Sequence, residues 1–189
     1  TATMEYVTNA SLGSVTDFGD FSAGGMYSAA TMNSSTRGIF AGGYYNPGGG
    51  ATKLNTIQYI TIMTTGSSQD FGDLVTATGG PHGICSSPTR GIAWDGSTNT
   101  IQYLTIATTG NGADFGDATV AGFNSGVSFS SHTRGVAGGG YNNPGSGSAN
   151  QKWIEYVTIS TTGNASDFGD LRTVGSSMGG SSDCHGGLS

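Results

Sequence analysis

Basic residues are few in this chain: six Lys and Arg stand against twelve Asp and Glu, for a formal net charge of −6. Phosphate recognition needs clustered Lys and Arg, so nucleic acid is excluded as an expected partner. Charged residues of both signs make up 10% of the sequence, well under the roughly 25% of an ordinary domain. Disorder driven by like-charge repulsion is therefore not expected. No apolar run approaches the roughly 18–20 residues of a membrane span, and no membrane insertion is expected. A signal-like start is also missing, and the first residue is Thr1, as in a processed or excised piece. Two cysteines, Cys85 and Cys184, cannot make a disulfide framework. No window has a 3.6-residue apolar period, so almost no helix is expected.

What the chain has in quantity is glycine, 35 of its 189 residues. There is no Gly-X-Y period, which excludes collagen. A different period is present. The tetrapeptide Asp17-Phe18-Gly19-Asp20 returns as Asp70-Phe71-Gly72-Asp73, Asp114-Phe115-Gly116-Asp117 and Asp167-Phe168-Gly169-Asp170, at intervals of 53, 44 and 53 residues. Eleven residues before each leading Asp lies a Tyr (Tyr6, Tyr59, Tyr103, Tyr156) inside a β-branched run such as Ile57-Gln58-Tyr59-Ile60-Thr61-Ile62. Gly13, Gly66, Gly110 and Gly163 each precede the tetrapeptide by four residues. Thr36-Arg37-Gly38, Thr89-Arg90-Gly91 and Thr133-Arg134-Gly135 follow the first three copies, and Cys184-His185-Gly186 is a worn fourth. A unit of about 40–50 residues built of short strands fits one four-stranded propeller blade.

The Tyr strands carry apolar residues on both faces, as strands buried between two sheets do. The chain opens with the second half of a unit and stops with the first half of another. The expected fold is therefore all-β, a single domain over residues 1–189 with four blades, the N- and C-terminal halves completing one of them. Such pairing would hide both sheet edges. The competing expectation is a segment of a longer repeat array, open at both ends. Long loops, Tyr44 to Gly50 and Tyr141 to Gly147, occur in alternate units and make a super-repeat of 97 residues.

Most charges occupy positions used once per unit, which reads as scaffold, since a catalytic centre needs different groups converging. Asp17, Asp70, Asp114 and Asp167 are expected to hold turns through their side chains, with Gly taking an unusual backbone angle. Phe is expected between blades. The second carboxylates (Asp20, Asp73, Asp117, Asp170) or the arginines (Arg37, Arg90, Arg134) are candidates for a repeated buried pair. A Ca²⁺ loop is the alternative, although two carboxylates fall short of the six to eight oxygens calcium takes. No metal or other cofactor is expected: His82 with Cys85, and Asp183-Cys184-His185, are incomplete zinc sets. Cys85 is read as a thiol in the apolar slot that Met32 and Phe129 fill in other units, with a Cys85–Cys184 bridge as the alternative. No Gly-x-Ser-x-Gly elbow or phosphate loop is present. Glu5 and Glu155, where other units have Gln58 and Gln102, are read as a solvated edge rather than a glycosidase pair.

Recognition has more support. The long loops carry Tyr44, Tyr45 and Asn46, then Tyr141, Asn142 and Asn143, with Trp153 beside the second and Trp94 at the short connection. Tyr and Trp offer rigid stacking faces and Asn a paired donor and acceptor, a set suited to a sugar ring. The other reading is that Tyr44 and Tyr141 simply cover the blade beneath them.

The glycine-closed strand Thr36-Arg37-Gly38-Ile39-Phe40-Ala41-Gly42-Gly43 followed by the Tyr strand resembles the kelch repeat of β-propellers. With Thr-Thr-Gly and Asp-Phe-Gly-Asp-Leu added, it is similar to kelch-like repeats in structural and tail-fibre proteins of marine bacteriophages, cyanophages in particular. The resemblance covers essentially the whole chain. It departs at Asp20-Phe21 and Asp117-Ala118, which replace Asp-Leu, and at Arg90, which no double glycine follows. It implies a non-enzymatic, extracellular virion component whose partners are other appendage proteins and a host-surface glycan, with oligomer formation left open. A spacer or decoration protein is the alternative, and a polysaccharide-degrading enzyme the third reading.

Overall fold

The computed structural model describes residues 2–46, 48–79, 83–96, 98–121, 124–142 and 149–182, and among them the secondary structure is strand alone. Sheet I pairs β1 (Thr3–Tyr6) with β2 (Thr16–Asp20). Sheet II orders β4 (Ala30–Asn33), β5 (Arg37–Ala41), β7 (Thr52–Thr61) and β8 (Gln69–Thr78) side by side. The first residues of β7 run past that sheet and pair β6 (Tyr44–Tyr45), which pairs β3 (Met26–Tyr27). Sheet III holds β9 (Gly83–Ser86), β10 (Arg90–Trp94), β11 (Thr100–Thr105) and β12 (Ala113–Asp117). Sheet IV holds β13 (Val127–Ser130), β14 (Arg134–Gly138), β16 (Ala149–Thr158) and β17 (Ser166–Gly175), with β15 (Tyr141–Asn142) on the extension of β16. Neighbouring strands are antiparallel throughout, and the all-β expectation stands.

Each four-stranded sheet is one sequence unit, in the order small-residue strand, Thr-Arg-Gly strand, Tyr strand, Asp-Phe-Gly-Asp strand. The tetrapeptide is not a turn, contrary to expectation. In sheet II, Ile57 faces Gly72 while Gln58 faces Asp70, so Phe71 is the extra residue of a β-bulge; the same slip recurs in sheets I, III and IV. The bulge brings Phe against the Tyr of the partner strand, edge to face, in all four units, with centroids 5.9–6.1 Å apart. Its glycine takes φ of +139° to +144°, which a side chain rarely tolerates. All eight carboxylates are exposed on the outermost strands, where charge discourages strand addition. Among the first Asp residues, Asp167 bonds its own loop, accepting from the Gly169 N–H at 3.2 Å.

The bulge also joins one sheet to the next. The carbonyls of Phe18, Phe71 and Phe115 each accept from the N–H of the next unit's glycine, Gly66, Gly110 or Gly163, at 2.7 Å. A Cβ on Gly72 would lie 2.6 Å from the Gly110 carbonyl carbon, so the tetrapeptide's glycine is required by packing as well as by φ. Among the described residues Arg37, Arg90 and Arg134 form no ion pair with Asp. Arg37 and Arg90 lie over the Tyr rings of their own sheets and donate to carbonyls of the next. A planar, weakly hydrated guanidinium suits that stacked, half-buried position better than an ion pair would.

Two apolar clusters fill the junctions. Ile39, Ile57, Phe71, Leu74 and Leu104 pack between sheets II and III, and Ile92, Trp94, Ile101, Phe115 and Val157 between III and IV. Burying each such side chain contributes about 1.5–3 kcal/mol. Met32 and Cys85 sit against Gly91 and Gly135 of the following unit, which explains the glycine of Thr-Arg-Gly. Cys85 is buried in its slot; Cys184, His185, Asp183 and His82 lie outside the described residues. A cleft of about 320 Å³ is lined by β4, β9 and β13 and by Gly180, Ser181 and Ser182, so segments from four units surround it.

Candidate recognition surface

The tyrosine-bearing extension of sheet II is made by two glycines. Gly42 and Gly43, with φ of +63° and +97°, turn the chain off β5, and a Cβ on Gly43 would lie 2.6 Å from the Tyr27 carbonyl oxygen. The close approach sets Tyr44 directly opposite Tyr27. Their rings stack with centroids 5.4 Å apart and planes 22° from parallel, a favourable cross-strand aromatic pair. Tyr44 also lies over Gly79 and is half-buried, so it covers the sheet. Tyr27 is 47% exposed and Tyr45 37% exposed, and they present the outer surface. Asn46 uses its Oδ1 to accept from the N–H groups of Gly48 and Gly50 at 3.0 and 3.4 Å. That oxygen shapes the turn.

Sheet IV repeats the extension. Gly139 and Gly140 have φ of +65° and +83°, and Ser125 at +50° matches Ser28 at +57°. The Tyr141 N–H donates to the Asn124 carbonyl at 2.8 Å, and the return bond measures 3.2 Å. Asn124 thus stands where Tyr27 stands in sheet II, 97 residues earlier. Asn142 belongs to β15, and Asn143 lies outside the described residues. Tyr27 was missed by reading the long loops alone. The signal was available, because the 97-residue super-repeat maps Tyr27 onto Asn124, directly before the first strand of its unit.

The two tryptophans belong to the interior. Trp94 is fully buried, and its Nε1 donates to Glu155 Oε1 at 2.7 Å. It ends β10, and sheet III lacks the extension that would carry its ring outward. Trp153 is half-buried and packs against the cluster between sheets III and IV. Glu155 is not part of a solvated edge: it is 0% exposed, and its Oε2 accepts from Thr119 N at 2.8 Å and Thr119 Oγ1 at 2.5 Å. The equivalent Gln58 and Gln102 are buried as well and accept from the preceding unit through Ala23 N and Val75 N. Glu5, at the same position of sheet I, is exposed.

A cleft of about 570 Å³ opens between sheets I and II, with Met4, Tyr6, Phe18, Phe40 and Ile60 among its lining residues. Among the described residues sheet I has no counterparts of β4 and β5, whose side chains fill the corresponding space at the other junctions. Glu5 is the carboxylate of its lining. Among the described residues no group of three or more His, Cys, Asp or Glu side chains is placed to hold a metal ion.

No protein-family model matches the chain, and no curated protein does either. Among solved structures, the one titled "Structure of YjhT" superposes with a TM-score of 0.71 at 11% identity. The match covers 89% of this chain and 62% of that one, so this chain spans under two thirds of the length of the structure whose fold it shares.

Proposed function

We propose that the chain is a non-enzymatic module of a phage virion appendage that displays its tyrosine extensions to a host-surface glycan. Each repeat unit is one blade of a kelch-like propeller, four units' worth to the chain, with the N- and C-terminal halves together amounting to one blade. The cleft lined from four units supports that arrangement. The observation that carries the functional reading is the Tyr27–Tyr44 stack with Tyr45 beside it, a partly exposed aromatic surface on a rigid sheet extension. Aromatic faces of this kind take the apolar face of a sugar ring at little entropic cost. The second extension, 97 residues on, puts Tyr141 and Asn124 in the same geometry. Two weak sites on one scaffold, multiplied over the copies in an appendage, raise avidity by about 10²–10⁴-fold without stronger single contacts. The repeat's similarity to phage tail-fibre proteins supplies the location, outside the cell on a virion.

The test is a screen of the protein, presented multivalently, against surface polysaccharides and a glycan array, beside a Tyr27→Ala/Tyr45→Ala variant. Binding that the variant loses is the expected outcome. Absence of binding, or binding that the variant retains in full, overturns the reading.

A further inference from the structure

The junction between successive sheets is the same three times over. Backbone N–H groups of Gly66, Gly110 and Gly163 meet the carbonyls of Phe18, Phe71 and Phe115, each at 2.7 Å. Two residues on, Ser68, Gly112 and Ala165 meet the carbonyls of Asp20, Asp73 and Asp117 at 2.7–2.9 Å. Ser67, Asn111 and Asn164 accept from the N–H of those same Asp residues through their side-chain oxygens. Gln58, Gln102 and Glu155 accept from the second or third residue beyond them.

Both halves of a fourth such junction are present, and among the described residues both are open. On sheet IV nothing lies within 4 Å of a Cβ built on Gly169, and Phe168 is 51% exposed, against 8%, 3% and 2% for Phe18, Phe71 and Phe115. On sheet I, Val15 is 54% exposed, whereas its counterparts Ser68, Gly112 and Ala165 are buried or half-buried in the three formed junctions. The register assigns the missing contacts: Gly13 N–H to the Phe168 carbonyl, Val15 N–H to the Asp170 carbonyl, and Ser14 Oγ to the Asp170 N–H. Charge agrees with the register. Arg172 occupies the place that is Ser22, Val75 and Thr119 in the other units, and the residue it would face is Glu5; both are exposed. In no other junction does an Arg stand at that position: Glu155, the other acid among the facing residues, meets Thr119.

We propose that these two surfaces bind each other between copies of this chain, the β17 end of one receiving the 9–15 loop of a second copy. The second copy is the occupant because, among the described residues, both surfaces are left exposed on one molecule, their facing charges are opposite, and each is half of a junction the chain already builds three times. Such a contact is heterologous: it closes a ring if the rotation allows and otherwise runs on as a filament. It stands whether or not the tyrosine surface binds a glycan.

The experiment is sedimentation velocity over a range of concentrations, with wild type, Glu5→Arg, Arg172→Glu and an equimolar mixture of the two variants. Both positions are exposed, so each variant is expected to keep the wild-type urea midpoint. Wild type is expected to associate, and each variant alone at least tenfold more weakly. The mixture is expected to recover association, because every junction between unlike copies then pairs opposite charges. Three results would overturn the proposal: a wild type that stays monomeric at all concentrations, association that the variants keep, or a mixture no better than its components. In the first case, amide exchange that is slow at Gly13 and Val15 in the monomer would show the chain's own loop seated on β17.

Discussion

Arg37 places its guanidinium carbon 4.4 Å from the centroid of the Tyr59 ring and donates through Nη1 to the Ile106 carbonyl at 2.8 Å. One side chain thereby stacks in sheet II and bonds sheet III. Arg90 does the same between sheets III and IV, over Tyr103 at 4.4 Å and to the Ile159 carbonyl at 2.9 Å. Arg134 stacks on Tyr156 at 4.3 Å on the open end of sheet IV and is exposed. Removing Arg90 loses a charge-assisted hydrogen bond as well as the cation–π contact, and Arg90→Ala is expected to cost about 2–3 kcal/mol. Arg134→Ala is expected to cost about 0.5–1 kcal/mol, the exposed stack alone. Urea unfolding of dilute protein measures both. Equal losses would mean that the bond to the neighbouring carbonyl adds nothing.

The bulge glycines offer a comparison in which backbone strain cancels. Gly116 and Gly169 have φ of +144° and +139°, so alanine is strained to a similar degree at either. At Gly116 the new methyl would also sit 2.5 Å from the Gly163 carbonyl, whereas nothing is near Gly169. Gly116→Ala is therefore expected to be worse than Gly169→Ala by about 1–3 kcal/mol, the usual range for overpacking. A difference near zero in dilute protein would place the whole requirement for glycine in its φ.

The period, the strand order within a unit and the identity of the Tyr strand could be read from the sequence, because each is local and repeats. The bulge could not. A glycine after Asp-Phe reads equally well as a turn, and the difference lies in whether the partner strand continues opposite it, which is a non-local fact. Glu5 and Glu155 show the same limit. Both precede a Tyr in near-identical strands, yet one is exposed and the other 0% exposed. What separates them is the preceding sheet, which supplies Trp94 and Thr119 to Glu155, whereas among the described residues no sheet stands in that place beside Glu5. The sequence offers Trp94 as a recognition residue at the short connection, but its place at the end of β10 turns the ring into the junction.

Glu155 gives a third prediction. Its two oxygens accept from Trp94 Nε1, Thr119 N and Thr119 Oγ1. Glutamine serves at the equivalent positions 58 and 102, so the substitution fits sterically. It would nevertheless point an amide donor at one of three donors, and Glu155→Gln is expected to cost about 1–3 kcal/mol. Adding Trp94→Phe removes one of the competing donors. The double variant is therefore expected to be more stable than the sum of the two single losses by at least about 0.5 kcal/mol. Strict additivity would indicate that the Trp94–Glu155 bond contributes nothing of its own.

The tyrosine surface divides into support and display, and stability separates them before any ligand is identified. Tyr44 lies between the Tyr27 ring and the Gly79 backbone, so Tyr44→Ala empties a packed space and is expected to cost about 3 kcal/mol. Tyr27 is 47% exposed and contributes mainly its stack on Tyr44. Tyr27→Ala is expected to cost no more than about 0.5–1.5 kcal/mol, the range of an aromatic pair. Urea midpoints of the two variants settle the order. If Tyr27→Ala proves the more damaging, Tyr27 is part of the support, and its loss could not be used to test glycan binding. If Tyr44→Ala does, then Tyr27 and Tyr45 can be altered on a folded scaffold, and a change in binding reports on the surface itself.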